Sequence, residues 1–223
     1  IFCDMIIGLP GQTWQSLKHS ISRLIALKIR HLSVYCLSLE PDTPLSDNPP
    51  ANLPSDDRQV ELFEKVVTLL KSLGFVHYEI SNFAKPGYEC QHNLNYWRGG
   101  EYLGLGSAAA SHLEGIRFKN KHNLDAYLKR PTAQTIEVEQ LDIIHKAEEE
   151  TILRLRLLEE GVNVTELQNK YGKTFTSVIL SKLSEMVSGG ELIRQGDGYR
   201  LHPAHIMTSN QIFTQLLIHD NIT

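Results

Sequence analysis

The sequence predicts an α/β protein in two parts: strand–helix units with parallel strands, then a small α+β module of winged-helix pattern. Short apolar runs at Ile1–Ile7, His31–Leu39 and Phe75–Ile80 alternate with amphipathic stretches at about Trp14–Leu27 and Asp56–Leu73. Strands alternating with helices imply parallel pairing and right-handed crossovers. Further on, helical stretches at about Ala147–Leu158, Val164–Tyr171 and Ser177–Val187 precede two short strand-like runs, Glu191–Arg194 and Tyr199–His202. Those runs flank Gly196-Asp197-Gly198, a hairpin signal, and a last helix is expected over about Ser209–Ile218. Pro131–Gln140 shows neither period and reads as a linker.

The boundaries have local causes. Thr13 is a suitable cap for the first helix and Ser55 for the second, which Gly74 stops. The turn Gly8–Thr13 follows the first strand, and a Pro/Asp-rich loop from Glu40 to Pro54 follows the second. The third strand is followed by a polar loop, Ser81–Trp97. In parallel α/β folds ligands meet the C-terminal ends of strands, so these three loops are the places to look for a site. Asp4 stands out as a carboxylate in an apolar strand, sharing a face with Phe2 and Ile6. A charge there calls for a salt bridge to a neighbouring strand or for a ligand.

Within the third loop, His92-Asn93-Leu94-Asn95-Tyr96-Trp97 concentrates an imidazole, two amides, a phenol and an indole. It lies between Ala84–Tyr88, with its Pro and Gly, and the glycine-rich Gly99–Gly106. Such a segment is expected to be a loop rather than a core helix. It serves either as an anchored surface turn or as a loop that binds something flat or coordinates a metal. His77, His112 and His122 carry no comparable surroundings and read as ordinary core or surface histidines. A short basic strand-like piece, Arg117–Asn120, and a short helix near Leu124–Lys129 follow.

Composition narrows the classes. The 223 residues can form one large domain or two smaller ones. A net charge of −4 and a pI near 6.2 give no support to a binder driven by phosphate neutralisation. From Ala147 onward seven Lys and Arg face ten Asp and Glu, and Ser177–Lys182 carries one cation, so the winged-helix pattern does not read DNA. No apolar run is long enough to span a bilayer and no signal peptide is visible. Cys3, Cys36 and Cys90 are far apart, which disfavours a disulfide framework or an all-cysteine metal site and suits a reducing cytoplasm. The opening Ile1-Phe2-Cys3-Asp4, inside a strand-like run and without Met, reads as the C-terminal part of a longer protein. A chain that opens inside a sheet leaves an unpaired strand edge, from which association into a homo-oligomer at the N-terminal side is expected.

Five segments, taken in order, carry a resemblance: Asp4–Thr13 (DMIIGLPGQT); Leu32–Leu37 with Glu40–Leu45; His77–Ala84 (HYEISNFA); His92–Gly99 (HNLNYWRG); and Tyr102–Gly106 (YLGLG). In these the chain resembles the HemW-type heme chaperones of the radical S-adenosylmethionine superfamily, long labelled oxygen-independent coproporphyrinogen III oxidase-like proteins. GLPGQT alone is a weak signal; H-N-x-x-Y-W after Y-E-I-S-N-F-A is a specific one. Order and spacing agree over about residues 1–130, and the C-terminal module agrees in layout more than in sequence.

The resemblance implies the second half of a partial (β/α)6 radical SAM barrel over residues 1–130, a linker over 131–146 and a winged-helix-like domain over 147–223. It implies S-adenosylmethionine contacted by Asp4, with Ile6 near the adenine and Ser38 lining the same cavity. It implies a 4Fe–4S cluster held by a C-x-x-x-C-x-x-C loop, which is absent from these residues. By itself the chain is then expected to hold no cluster and to initiate no radical chemistry. His92 corresponds to the proposed heme-iron ligand, Tyr96 and Trp97 are placed to pack on a porphyrin face, and Asn93 to orient the ring. The implied function is a cytoplasmic chaperone that binds heme and delivers it to a hemoprotein acceptor, one that can be membrane-associated, with no nucleic-acid partner. The alternative is an oxygen-independent coproporphyrinogen III oxidase; genuine oxidases of the related group lack the H-N-x-x-Y-W box.

Overall fold

The computed structural model describes residues 1–131 and 135–217, in two compact units that divide after Cys90. The first unit holds β1 (Phe2–Ile7), α1 (Trp14–Ala26), β2 (His31–Cys36), α2 (Pro44–Asp47), α3 (Asp56–Ser72), β3 (Val76–Glu79) and β4 (Asn82–Ala84). Thr13 caps α1 in a capping box with Ser16, and the Ser55 hydroxyl accepts from the Arg58 N–H at the start of α3. Gly74, at φ +73°, ends the α3 turn.

The sheet runs β1-β2-β4-β3. β1 and β2 are parallel, as the strand–helix alternation predicts, with Asp4 opposite Ser33 and Ile6 opposite Tyr35. The third strand departs from expectation. The chain turns back at Ile80–Ser81, and β4 inserts antiparallel between β2 and β3. The start of the predicted polar loop is therefore a strand, because Asn82, Phe83 and Ala84 are all buried. Residues Met5, Ile7, Leu32, Val34 and Phe83 are buried, as are Leu17 and Ile21 of α1 and Leu62, Phe63, Val66 and Leu70 of α3. Fully burying each such side chain is worth roughly 1.5–3 kcal/mol, which makes this layer the stabilising core of the unit.

The second unit begins with α4 (Gln91–Trp97). The expected loop is thus a helix of seven residues. His92 and Tyr96 sit one turn apart, and Leu94 is its buried anchor. Gly99, at φ +68°, closes the helix, with Arg98 N–H donating to the Leu94 carbonyl and Gly100 N–H to that of Asn95. The breakers on either side bound a short helix instead of preventing one.

β5 (Ala110–Leu113), β6 (Ile116–Asn120), α5 (Leu124–Lys129) and β7 (Thr135–Glu139) follow, with the strands in an antiparallel sheet of order β5-β6-β7. Glu114 and Gly115, both at positive φ, make the two-residue β5–β6 turn. The stretch 131–146 thus contains a paired strand and the beginning of α6 (Ile143–Leu155). The rest comprises β8 (Val162–Asn163), α7 (Val164–Tyr171), α8 (Lys173–Gly189), β9 (Leu192–Gln195), β10 (Gly198–Leu201) and α9 (Ser209–Leu216). Ile218, the predicted end of the last helix, lies outside the described residues. The hairpin β9–β10 forms around Gly196–Asp197 as the sequence predicts, and β8 joins it in the order β8-β10-β9. Glu150 of α6, buried, accepts from Arg154 Nε at 2.8 Å, Lys170 Nζ at 2.5 Å and Tyr171 Oη at 2.8 Å. Burial pushes its carboxyl pKa up, but these donors outweigh burial and hold it below the usual carboxylate range.

Candidate functional site

The residues proposed for S-adenosylmethionine and for heme fall in different units, and each set is described within its own. In the first unit Asp4 and Ile6 share one face of β1 and are exposed. Ser38 is exposed just past β2, where the Leu37 N–H donates to the Ile7 carbonyl at 2.7 Å and continues the parallel pairing. Across the sheet Asp4 lies in register with Ser33, Ser33 with Asn82, and Asn82 with Glu79, giving a polar row over all four strands. Ser33, Asn82 and Glu79 are buried. Glu79 accepts from the Asn82 amide and, at 3.2 Å, from the Ser81 N–H. Asn82 Oδ1 has no hydrogen-bond partner among the described residues, an acceptor of the kind that a polar ligand satisfies. Sequence reasoning missed this row because its members lie on four strands and β4 was not anticipated.

His31 stands in the next row, opposite Phe2, with its Nε2 2.9 Å from Tyr78 Oη, which also accepts from the Cys90 N–H at 3.3 Å. Burial lowers the His31 pKa, against the raising effect of Asp4 and Glu89. Cys36 is a thiol that burial pushes up to about 11, so it is protonated at neutral pH.

In the second unit His92 is exposed on α4, and its ring meets that of Tyr96 at 4.7 Å and 87°. Tyr96 in turn meets Tyr102 at 4.4 Å, and Tyr102 meets His112 at 6.1 Å. Asn93 is half-buried. Trp97 is engaged elsewhere, with the Arg156 guanidinium 4.5 Å from its ring, and the same guanidinium lies 5.7 Å from Phe213. Arg98 meets Glu160 through two hydrogen bonds, of 3.0 and 2.5 Å, and the Glu160 carboxylate raises its pKa.

The glycine-rich run is held from below. Gly104 N–H donates to Ser111 Oγ at 3.0 Å, Gly106 N–H donates to Tyr127 Oη at 2.9 Å, and Asn120 Nδ2 donates to the Gly104 and Gly106 carbonyls. These amides are spent on the fold and do not form a phosphate cradle. A cavity of about 180 Å³ is lined by Tyr96, Trp97, Tyr102, His112, Arg117 and Leu153 among others. Ligand pockets start near 300 Å³, so a porphyrin does not fit inside it. The exposed imidazole of His92 is the group open to a large flat ligand. Among the described residues no group of three His, Cys, Asp or Glu converges as metal ligands do, and none is assigned to an iron–sulfur cluster.

Comparison with known proteins shows what the chain is similar to. No protein-family model matches the chain. It is 34% identical over 226 residues to the heme chaperone HemW of Lactococcus lactis subsp. lactis (strain IL1403), covering 99% of this chain and 59% of that protein. It is 35% identical over 228 residues to HemW of Bacillus subtilis (strain 168), covering 97% and 59% respectively. Over nearly its whole length the chain is similar to the HemW heme chaperones. It spans about 59% of the length of these HemW relatives. Among solved structures it resembles the coproporphyrinogen III oxidase HemN of Escherichia coli, a radical SAM enzyme, with a TM-score of 0.77 at 17% identity. That match covers 96% of this chain and 54% of HemN, and it establishes a shared mixed α/β fold. Among the described residues no helix is long and apolar enough to cross a membrane.

Proposed function

We propose that this chain carries the heme-ligating surface of a HemW-type chaperone that binds heme and passes it, in the cytoplasm, to a hemoprotein acceptor. The observation that carries this reading is the exposed imidazole of His92 in the H-N-x-x-Y-W box, its ring braced by Tyr96. A neutral imidazole is a common heme-iron ligand, and Tyr96 beside it offers a ring edge to the macrocycle. Asn93, on the next position of α4, is the amide placed to orient the bound group, while Trp97 fastens the helix through Arg156.

In the same reading the first unit is part of a partial radical SAM barrel, and its open sheet face binds S-adenosylmethionine. Asp4 accepts from hydroxyl or ammonium groups of that ligand, Ile6 packs on the adenine, and Ser38 lines the rim. The residues fit: an exposed carboxylate and an apolar neighbour share a face, with the buried acceptor of Asn82 in the same row. When bound with a cluster, S-adenosylmethionine supplies radical chemistry; the cluster ligands belong to sequence outside this chain. The helices and small sheet from α6 onward form a winged-helix-like packing module.

Heme titration followed by absorption tests the reading. His92→Ala is expected to weaken heme binding by about tenfold or more and to shift the Soret band. A Soret band and affinity unchanged by the substitution overturn the assignment of His92. The likeness to HemN keeps coproporphyrinogen III oxidation as the competing reading. Vinyl products from coproporphyrinogen III, made by the full-length, cluster-loaded protein, would favour it.

A further inference from the structure

The histidine proposed as ligand is exposed, on a helix of seven residues, and an exposed imidazole samples several rotamers. A metal-ligand histidine is ordinarily held by a partner that fixes its ring. Here the surroundings of His92 offer a relay of rings in that role. Tyr96 stands edge-to-face against His92, and the Tyr102 ring lies against Tyr96 at 4.4 Å and 60°.

Tyr102 is itself fixed at the backbone. Its N–H donates to the His112 carbonyl and the His112 N–H donates back, both at 2.9 Å, so it is bridged onto β5. The buried Ser111 and Asn120 clamp the glycine run that follows. On the preceding side Asn95 Nδ2 donates to the Glu101 carbonyl at 2.9 Å and ties the end of α4 to the residue before Tyr102. His112 Nδ1 lies 3.3 Å from the Gly100 carbonyl, where its N–H donates to that oxygen and adds a further tie. The backbone on both sides of the relay is anchored, and the connection from the sheet to the imidazole passes through two phenol rings.

We propose that Tyr102 is a positioning residue for the heme-ligand imidazole: bridged to β5 at His112 and pressed against Tyr96, it fixes through that ring the orientation in which His92 presents its nitrogen to iron. The inference rests on the reading of His92 as the heme ligand. It assigns the relay to ring contact and not to the Tyr102 hydroxyl, because the Tyr102 side chain meets Tyr96 and His112 through its ring.

The test uses ferric heme added to the protein, read by Soret absorption, by low-spin electron paramagnetic resonance and by affinity. Tyr102→Phe keeps the ring and is expected to match the wild type. Tyr102→Leu keeps apolar volume without the ring and is expected to weaken binding about tenfold and to broaden the low-spin signal. Exogenous imidazole, which needs no positioning, is expected to restore a sharp low-spin signal in Tyr102→Leu. Tyr96→Leu cuts the relay at its middle and leaves the Tyr102 backbone anchor alone, so it gives the same result if Tyr102→Leu lowers the melting temperature. A wild-type signal in both leucine variants, with His92→Ala still altering the spectrum, overturns the positioning role while the ligand assignment stands. An unchanged spectrum in His92→Ala removes the ligand assignment, and the relay with it.

Discussion

His77 lies almost flat on Phe83, ring centroids 4.0 Å apart at 16°, with its Nε2 donating to the Ile80 carbonyl at 3.0 Å. Burial pushes its pKa down to about 4, so the ring is neutral in the fold. In the unfolded chain the same imidazole titrates near 6.5. As pH falls from about 6.5 to about 4, the unfolded state takes up the proton while the folded one does not, and stability is lost across that window. The loss at its acid end is of order 3 kcal/mol. Urea unfolding at pH 7 and at pH 4.5 is expected to show a larger fall for the wild type than for His77→Phe; equal falls would remove His77 as the cause. Some acid sensitivity is expected to remain in the variant, since burial also lowers the pKa of His31. The sequence leaves His77 open between core and surface, because the register shift between His77 and Glu79 breaks the two-residue alternation that would place it. His92 stands out in the sequence for a different reason: the ring it meets, Tyr96, lies four residues away in the same segment.

At the scale of elements, legibility followed length and caps. α1 and α3 run 13 and 17 residues with a Thr or Ser side chain satisfying the first turn, so period and boundary agree. α4 has 7 residues and few apolar positions, too little period to outweigh the Pro and Gly around it. β4 has three residues and owes its existence to the gap between β2 and β3, a tertiary cause. The Glu114–Gly115 turn was missed because glutamate is unusual where φ is positive. The ring relay was hidden for the same class of reason, since residues 92, 96, 102 and 112 meet only once the glycine run folds onto β5. Gly104 makes that approach: a Cβ there would lie 2.2 Å from the Ala110 carbonyl oxygen. Gly104→Ala must push the run off β5 and strain its bonds to Ser111 and Asn120, at a cost of about 1–3 kcal/mol. Thermal unfolding of the variant is expected to show a lower midpoint. A wild-type midpoint would mean that the run relaxes freely and does not brace Tyr102.

At the scale of the whole molecule, the first unit's sheet is covered unequally. One set of its strand residues, Met5, Ile7, Leu32, Val34 and Phe83, is buried, while Phe2, Ile6 and Tyr35 on the opposite face of β1 and β2 are 65%, 43% and 45% exposed. β1 also stands at the end of the order β1-β2-β4-β3, so among the described residues its outer edge has no strand beside it. An uncovered strand edge next to apolar side chains is a template for another chain, and natural sheets blunt such edges with charge, proline or a covering element. β1 carries one charge, Asp4, and no proline. The 223-residue chain on its own is therefore expected to self-associate in a concentration-dependent way through β1, read as a rising mean sedimentation coefficient across a dilution series. Phe2→Lys with Ile6→Lys places two like charges on that face and is expected to hold the chain monomeric over the same range. Ile6 points away from the buried core, whereas the Phe2 ring lies 4.8 Å from that of the buried His31, so Phe2→Lys is expected also to lower the unfolding midpoint and Ile6→Lys alone is the variant that acts on association. Were the unsubstituted chain monomeric at every concentration, the edge would have to be blunted by something other than charge or proline, and the open face would be accounted for by ligand binding alone.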